Sequence, residues 1–409
     1  MGQKNDAQRI INACLAAADP KEAVKSALSS MDLQGGRLLL LAIGKAAWTM
    51  AYAASEALGD RLDEGIVITK YDHAQGPLPR IRIREAAHPV PDEASFRATN
   101  EAMDLFAKLK PEDHVLFLVS GGGSALFEAP CIPPEELFAI TEALLKSGAD
   151  IVEINTLRKR FSRVKGGRFA AHCAPAVVHA VILSDIIGDP LDMIASGPAA
   201  ADSSTSEQAL EIVQRYGLTL SKNAQEALLQ ETPKAVDNVD NSIIGSVRIL
   251  CEAAAAEALK LGYAPIFLTD RLNAEAREVG RVLASIGQSH QGYGKKAFIA
   301  GGECIVHVKG QGLGGRNQEL ALAAAEGIAG SEDLLVFSLG SDGTDGPTDA
   351  AGGIVTGSTK EQLASLGLSI PKVLADNDAY HALDQVEALI RTGPTGTNVN
   401  DVCVLLVGR

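Results

Sequence analysis

Short, uninterrupted apolar runs alternate along this chain with longer segments whose apolar residues recur every three or four positions. Leu38 to Ile43, Ile66 to Ile68, Val115 to Leu118 and Val177 to Leu183 are apolar runs of strand length, with Ile81 to Ile83 a weaker one. Runs of that kind suit strands covered on both faces. The segments between them read as helices. An alanine-rich amphipathic stretch covers 7–29 and stops near Gln34-Gly35-Gly36, and another helix opens at Gly44-Lys45-Ala46-Ala47. A third runs from Glu93 to Leu109 before Pro111, a fourth begins at Pro133-Pro134, and in a fifth Ile154, Leu157, Phe161 and Val164 share one face. This alternation predicts an α/β fold with a doubly wound parallel sheet, whose ligands sit beyond the carboxyl ends of the strands.

The polar, weakly patterned stretch from Glu231 to Asn241 reads as a linker and divides the chain into domains 1–235 and 236–409. Beyond it the rhythm resumes: a helix from Ser246 to Leu259, a strand at Ile266 to Leu268 and a helix from Ala274 to Gln288. A strand pair is expected at Ala297 to Ala300 and Cys304 to Val308. Glycines from Gly310 to Gly315 then lead into an alanine-rich helix, and strands follow at Leu334 to Phe337 and Val402 to Val407.

At 409 residues, two domains are the default expectation. The chain carries 37 basic against 51 acidic residues, a net charge of −14, which argues against a sequence-independent grip on nucleic acid. An anionic ligand must then be held by a local basic cluster. Six scattered cysteines without a C-x-x-C pair read as free thiols of a reducing compartment. With no secretory pattern and no apolar run of bilayer length, the expectation is a soluble cytoplasmic protein without a membrane partner.

Candidate chemistry concentrates in the loops after the strands. Ser120-Gly121-Gly122-Gly123-Ser124 follows an apolar run, and its bare backbone can turn successive N–H groups toward one anion. Lys45 lies at the same predicted sheet edge. Arg158, Lys159, Arg160, Arg163, Lys165 and Arg168 crowd one short span. They read either as a solvated face balancing acidic neighbours or, for one or two of them, as cations aimed at phosphate or carboxylate. Asp185 and Asp189 follow a strand, where a Mg²⁺ ligand or a base commonly sits, although ordinary turns use aspartate too. Asp342, Asp345 and Asp349 fall within eight positions; an oxygen-rich Mg²⁺ site or Asx turns would account for them, the latter preferred for Asp349. Neither Gly-Lys pair is followed by Ser or Thr, so no P-loop is present. Gly310, Gly312 and Gly315 do match G-x-G-x-x-G, which keeps a dinucleotide-binding dehydrogenase as the second reading, although no acidic residue ends the strand at Leu334 to Phe337.

Taken in order, these motifs resemble the glycerate 2-kinase family. They are Gly44-Lys45-Ala46-Ala47, Ser120 to Ala125, Asn155-Thr156 with the basic helix to Gly167, Ser184-Asp185 to Pro190, Ser196-Gly197-Pro198, Gly301-Gly302-Glu303, Gly314 to Glu319 and Ser341 to Gly346. The C-terminal part of that family is the so-called MOFRL domain. The resemblance implies a Rossmann-like first domain, a second three-layer α/β domain with a mixed sheet, and a site in the cleft between them. It implies ATP- and Mg²⁺-dependent phosphorylation of D-glycerate at its 2-hydroxyl, with Lys45 and Arg316 essential. Some members carry the name hydroxypyruvate reductase, an NAD(P)-dependent activity, and a non-catalytic small-molecule binder is the third reading. The expected site therefore comprises Lys45, Arg316 and Asp189 for catalysis and Asp185 with Asp189 for metal. Ser120, Gly121, Gly122, Gly123, Ser124, Asn155, Arg158, Lys165, Glu303, Gly315, Asn317, Asp342 and Asp345 are expected to bind the substrates. A homodimer is compatible with the sequence and is not argued by it.

Overall fold

Leucine and isoleucine fill β1 (Leu38–Ile43), and all six of its residues are buried, as the centre of a covered sheet demands. The computed structural model describes residues 2–408. Around β1 lie β2 (Glu64–Lys70), β3 (Ile81–Ala86), β4 (His114–Val119), β5 (Val177–Leu183) and β6 (Val239–Gly245), in the order β3-β2-β1-β4-β5-β6. Pairing is parallel from β3 through β5. The chain leaves β1 in one direction to build β2 and β3 and returns to its other side for β4, so the strand order reverses between β1 and β4. In such a sheet the crevice for ligands opens at that reversal, beyond the carboxyl ends of β1 and β4.

Alternate residues separate the two faces. Leu39, Leu41, Ile43, Phe117, Val119, Ala180 and Ile182 belong to one core with Ala98, Ala102 and Phe106 at α4 (Glu93–Leu105) and with Phe169 of α8 (Arg168–Cys173). Helices α2 (Pro20–Ser29) and α3 (Ala47–Leu58) pack together, and α3 lies against β1, β2 and β4. The four-residue α5 (Gly123–Leu126) follows β4. A smaller core joins α6 (Pro134–Lys146), α7 (Ile151–Arg160), α9 (Ser206–Arg215) and α10 (Lys222–Leu229).

The second sheet is mixed. It comprises β7 (Ala264–Leu272), β8 (Lys296–Gly302), β9 (Leu334–Gly340), β10 (Gly352–Thr356), β11 (Leu389–Ile390) and β12 (Asp401–Val407), in the order β11-β10-β9-β12-β8-β7. Only β7 and β8 are parallel; the other pairs are antiparallel. Cys403, Leu405 and Val407 face a core built with α12 (Ala276–His290) and α13 (Arg316–Gly327). On the opposite face, Val247 and Cys251 of α11 (Val247–Lys260) press so closely on Gly301 that a Cβ there would lie 2.6 Å from Val247 Cγ2. Helices α14 (Thr359–Ser365), α15 (Ile370–Ala375) and α16 (Ala379–Gln385) complete this part.

The chain divides into Pro20–Ile244 and a unit made of Met1–Asp19 with Gly245–Arg409. This differs from the 1–235 and 236–409 division at both ends. The expected helix over 7–29 is two, α1 (Gln3–Ala17) and α2, interrupted where Pro20 cannot continue the ladder of hydrogen bonds. The two helices belong to different units: α1 buries Ala7, Ile10, Ile11 and Cys14, packs on α11, and pairs Arg9 with Glu257 at 2.6 Å. The expected linker instead runs into β6, an edge strand in which only Gly245 is buried, so that it passed among polar residues as loop. Cys304 to Val308 is irregular, because β12 takes the place beside β8. Among the described residues no helix is long and apolar enough to cross a membrane.

Candidate active site

The loops after β1 and β4 are tied to each other before any ligand is considered. Ser120 Oγ donates to the Ile43 carbonyl at 3.1 Å and accepts from the Ala46 amide at 3.1 Å, and the Lys45 amide donates to the Gly121 carbonyl at 2.9 Å. This approach needs Gly44, where φ is +109° and a Cβ would lie 2.3 Å from Ser120 Oγ. The Ser120 hydroxyl, expected to bind substrate, is therefore consumed in holding the two strand ends together. What the loop presents is backbone: the amides of Gly121, Gly122, Gly123 and Ser124 have no acceptor among the described residues. With only four residues in α5, a helix dipole adds little, and the loop's own N–H groups carry the attraction for an anion. Lys45 is exposed, and among the described residues its ammonium has no carboxylate partner.

The basic span resolves residue by residue, and it is not a solvated face. Lys159 is buried between Asp192 (3.1 Å) and Asp202 (3.2 Å). Arg160 is buried against the carbonyls of Gln230 and Ser204, and Arg168 donates to the carbonyls of Lys159, Arg160 and Ser162. Lys165, expected among the substrate ligands, is wholly buried. It pairs with Glu128 at 3.0 Å and donates to the Ser124 and Phe127 carbonyls at 2.8 and 2.9 Å, clamping the glycine loop from behind. Asn155 is likewise internal: it accepts from Ser196 Oγ at 3.2 Å, and Ser196 Oγ lies 2.9 Å from Ser124 Oγ. Arg163, on the surface, bonds Asn100. Arg158 alone of the six makes no hydrogen bond or ion pair among the described residues. Burial pushes its guanidinium below its ordinary pKa, opposed only by the charge of Glu128. A desolvated, unpaired arginine one helical turn from Asn155 is what an anion site requires.

Asp185 lies directly beside the loop, since a Cβ on Gly121 would meet its Oδ2 at 2.3 Å. Asp189 sits in a turn at φ +54°, and its Oδ1 is buried without a hydrogen-bond partner. An orphaned carboxylate oxygen suits a cation. Among the described residues no three carboxylate, histidine or cysteine side chains converge on one point, so a cation here would draw further ligands from substrate and water. Mg²⁺ is commonly bound in just that way, through one or two carboxylates and phosphate oxygens, and the two aspartates fit it.

In the other unit, Arg316 opens α13. Its Nε and Nη2 form a fork to Asp401 Oδ2 (2.5 Å) and Oδ1 (3.0 Å), while Nη1 reaches Glu303 Oε1 at 2.7 Å. The two carboxylates raise its pKa and fix its plane. Asp401 is nearly buried and Glu303 half-exposed, so the first acts as an anchor and the second as a partner that an incoming anion can replace. Asp401 escaped the sequence reading because nothing in its neighbourhood marks it; only the strand order brings it to α13. Asn317 and Asp345 face inward. Asp345 accepts from the Asn317 and Gln318 amides at 3.1 and 2.8 Å, capping α13, and burial pushes its pKa up to about 6. Asn317 accepts from Ser338 Oγ at 2.5 Å. Neither side chain is open to substrate as expected. Asp342 closes an Asx turn on the Thr344 amide and keeps Oδ2 open, and Asp349 pairs with Arg391 and Tyr380 rather than forming the expected turn.

The G-x-G-x-x-G segment is largely committed to the protein's own groups. Four of its amides are already occupied: Gly310 donates to Asn377 Oδ1, Gln311 to Asp376 Oδ1, Gly312 to the Asp376 carbonyl and Leu313 to Asp378 Oδ1, while those of Gly314 and Gly315 have no acceptor among the described residues. A Cβ on Gly310 or Gly312 would lie 2.2 or 2.4 Å from Asp376 and Asp378, and one on Gly315 2.3 Å from Asp345. The glycines serve close packing.

Relatedness agrees with this geometry. Residues 6–229 match the family model described as "Domain of unknown function (DUF4147)", and residues 296–401 match the MOFRL family. A D-glycerate 2-kinase of Thermotoga maritima is 49% identical over 99% of this chain and 98% of its own length. The chain belongs to the glycerate 2-kinase family. A further member from Pyrococcus horikoshii, named glycerate 2-kinase, is 40% identical over 98% of this chain and 96% of its own. The crystal structure of a glycerate kinase from Thermotoga maritima superposes with a TM-score of 0.95, covering 99% of both chains at 49% identity. The family's two-sheet α/β architecture is thus this chain's own.

Proposed function

We propose that this protein is a D-glycerate 2-kinase, transferring the γ-phosphoryl group of ATP to the 2-hydroxyl of D-glycerate and releasing ADP and 2-phospho-D-glycerate. The observation that carries the reading is the contrast between two glycine loops. Among the described residues four amides are unclaimed at Gly121 to Ser124, beside a lysine without a carboxylate partner and where the strand order reverses, while in the dinucleotide-like loop the four amides of Gly310 to Leu313 are taken by Asp376, Asn377 and Asp378. The first arrangement suits phosphate, and the second has already committed most of the amides that a reductase would offer its dinucleotide.

Phosphoryl transfer asks a protein mainly to position its reactants and to neutralise charge. In this reading the loop amides hold phosphate oxygens and Lys45 offsets the charge on the group in transit. Arg158 takes an anionic group of substrate, and in the other unit Arg316, held flat by Asp401, can exchange Glu303 for an anion. Asp342 adds an open acceptor. Asp185 and Asp189 would hold Mg²⁺, which supplies further neutralisation of the nucleotide phosphates. The six free cysteines, five of them buried, accord with a cytoplasmic setting.

The test is to incubate the protein with D-glycerate, ATP and Mg²⁺ and to resolve the products by ³¹P NMR. 2-Phosphoglycerate is expected; 3-phosphoglycerate alone would overturn the regiochemistry. NADH oxidation with hydroxypyruvate, without ADP formation, would overturn the kinase reading.

A further inference from the structure

One side chain at the Lys45 loop has no place in the roles assigned above. His88 lies two residues beyond β3, and its ring reaches the glycine loop: a Cβ on Gly122 would stand 3.0 Å from its Cδ2, 3.1 Å from its Nε2 and 3.4 Å from Lys45 Cγ. Gly122 has φ +89° and carries no side chain, so the imidazole edge rests on bare backbone beside Lys45. His73, by contrast, is engaged through Nδ1 with the Lys45 carbonyl at 3.1 Å. Neither ring nitrogen of His88 makes a hydrogen bond among the described residues.

We infer that His88 is a catalytic residue, the proton acceptor for the hydroxyl that attacks ATP. The inference rests on the kinase reading of this site. As the glycerate O2–Pγ bond forms, the hydroxyl proton passes to a ring nitrogen of His88. The bond from Pγ to the β,γ-bridging oxygen breaks, and ADP leaves with that electron pair. The imidazolium then returns its proton to water. The surroundings keep the ring in the form this step needs: burial first, then the charges of Lys45, Lys70 and His73, hold His88 down at about 4, so it is neutral at pH 7. Bound triphosphate and carboxylate offset Lys45 and Lys70, raising the ring's proton affinity once both substrates are present. The base is thereby strengthened by substrate rather than by a resident carboxylate.

Two substitutions test this. His88→Phe keeps a ring packed on Gly122 but removes both nitrogens, and His88→Ala opens space for added imidazole. Turnover of both is expected to fall by about 10²–10⁴-fold, as for loss of a general base, with KM for ATP unchanged. Imidazole is expected to raise turnover of His88→Ala and to leave His88→Phe unaffected. Full turnover in His88→Phe would reduce the histidine to packing and overturn the assignment. So would the absence of any imidazole response in His88→Ala, or a loss confined to KM for ATP. If the unsubstituted protein makes no phosphoglycerate, the kinase reading itself falls, an outcome separate from these.

Discussion

Lys165→Met should damage the fold rather than substrate affinity. The lysine and Glu128 are both buried, 3.0 Å apart, and the ammonium also serves the Ser124 and Phe127 carbonyls. Methionine fills similar space but leaves the Glu128 carboxylate in an apolar interior, where Oε1 already lacks a partner. Stranding one member of a buried pair costs about 3–5 kcal/mol. Two carbonyls deprived of a charged donor belong to the same loss and are not added to it. With a urea slope of about 2–3 kcal/mol per molar, the unfolding midpoint should drop by about 1–2 M. The only tryptophan makes the assay local: Trp48 is in α3, in the same unit as Lys165, and is buried with its indole N–H on the Gly76 carbonyl at 2.8 Å. Its fluorescence during a urea titration follows that unit. The paired change Glu128→Leu with Lys165→Met removes both charges and should recover about half the loss or more. A midpoint unmoved by Lys165→Met, together with a raised KM for glycerate or ATP, would refute the reasoning and return the lysine to the substrate.

Arg158→Ala should do the opposite, raising KM for one anionic substrate by about 10–100-fold, as loss of a charge-assisted contact implies, with the Trp48 midpoint unchanged. A large fall in that midpoint would mean a hidden structural partner. Gly121→Ala places a Cβ 2.3 Å from Asp185 Oδ2, so Asp185 or the loop must shift; kcat should fall about 10²-fold or more while circular dichroism stays native. Asp401→Asn halves the fork on Arg316, and turnover should fall at least ~10-fold. In a double-mutant cycle Arg316→Ala should then add little further loss, whereas additive effects would uncouple the two residues.

Much of the fold was legible because covered parallel strands leave short apolar runs bounded by glycine-rich turns. β1, β4 and β5 were found that way, and with them the loops at their ends. β6 was missed for the converse reason. At a sheet edge Asp240, Asn241 and Ser242 can face water, so the strand has no apolar run to show. The site was legible as motifs but not as roles. Lys45 and Lys165 both stand beside glycines in sequence, yet one ammonium is exposed and, among the described residues, without a carboxylate partner, and the other is sealed against Glu128. The loop at Gly310 to Gly315 shows the limit most plainly, since Asp376, Asn377 and Asp378, which fill it, lie some sixty-five positions away.

Helix α1 gives the chain an order of events. Its residues Ile10, Ile11 and Cys14 are made before the segment Pro20–Ile244, yet they are buried in the unit that includes Gly245–Arg409, and Tyr263, which bonds Asp6 at 2.9 Å, is more than two hundred residues downstream. On the ribosome the segment from Pro20 to Ile244 is complete first and folds as an insertion, while α1 waits with its apolar face uncovered. The waiting helix is then a tether, since whatever holds it in the interim governs when the second sheet can close. A gene rearranged to encode α1 after residue 408, behind a spacer long enough to reach its seat, would deliver it last, and the rearranged chain should need less help from chaperones to fold.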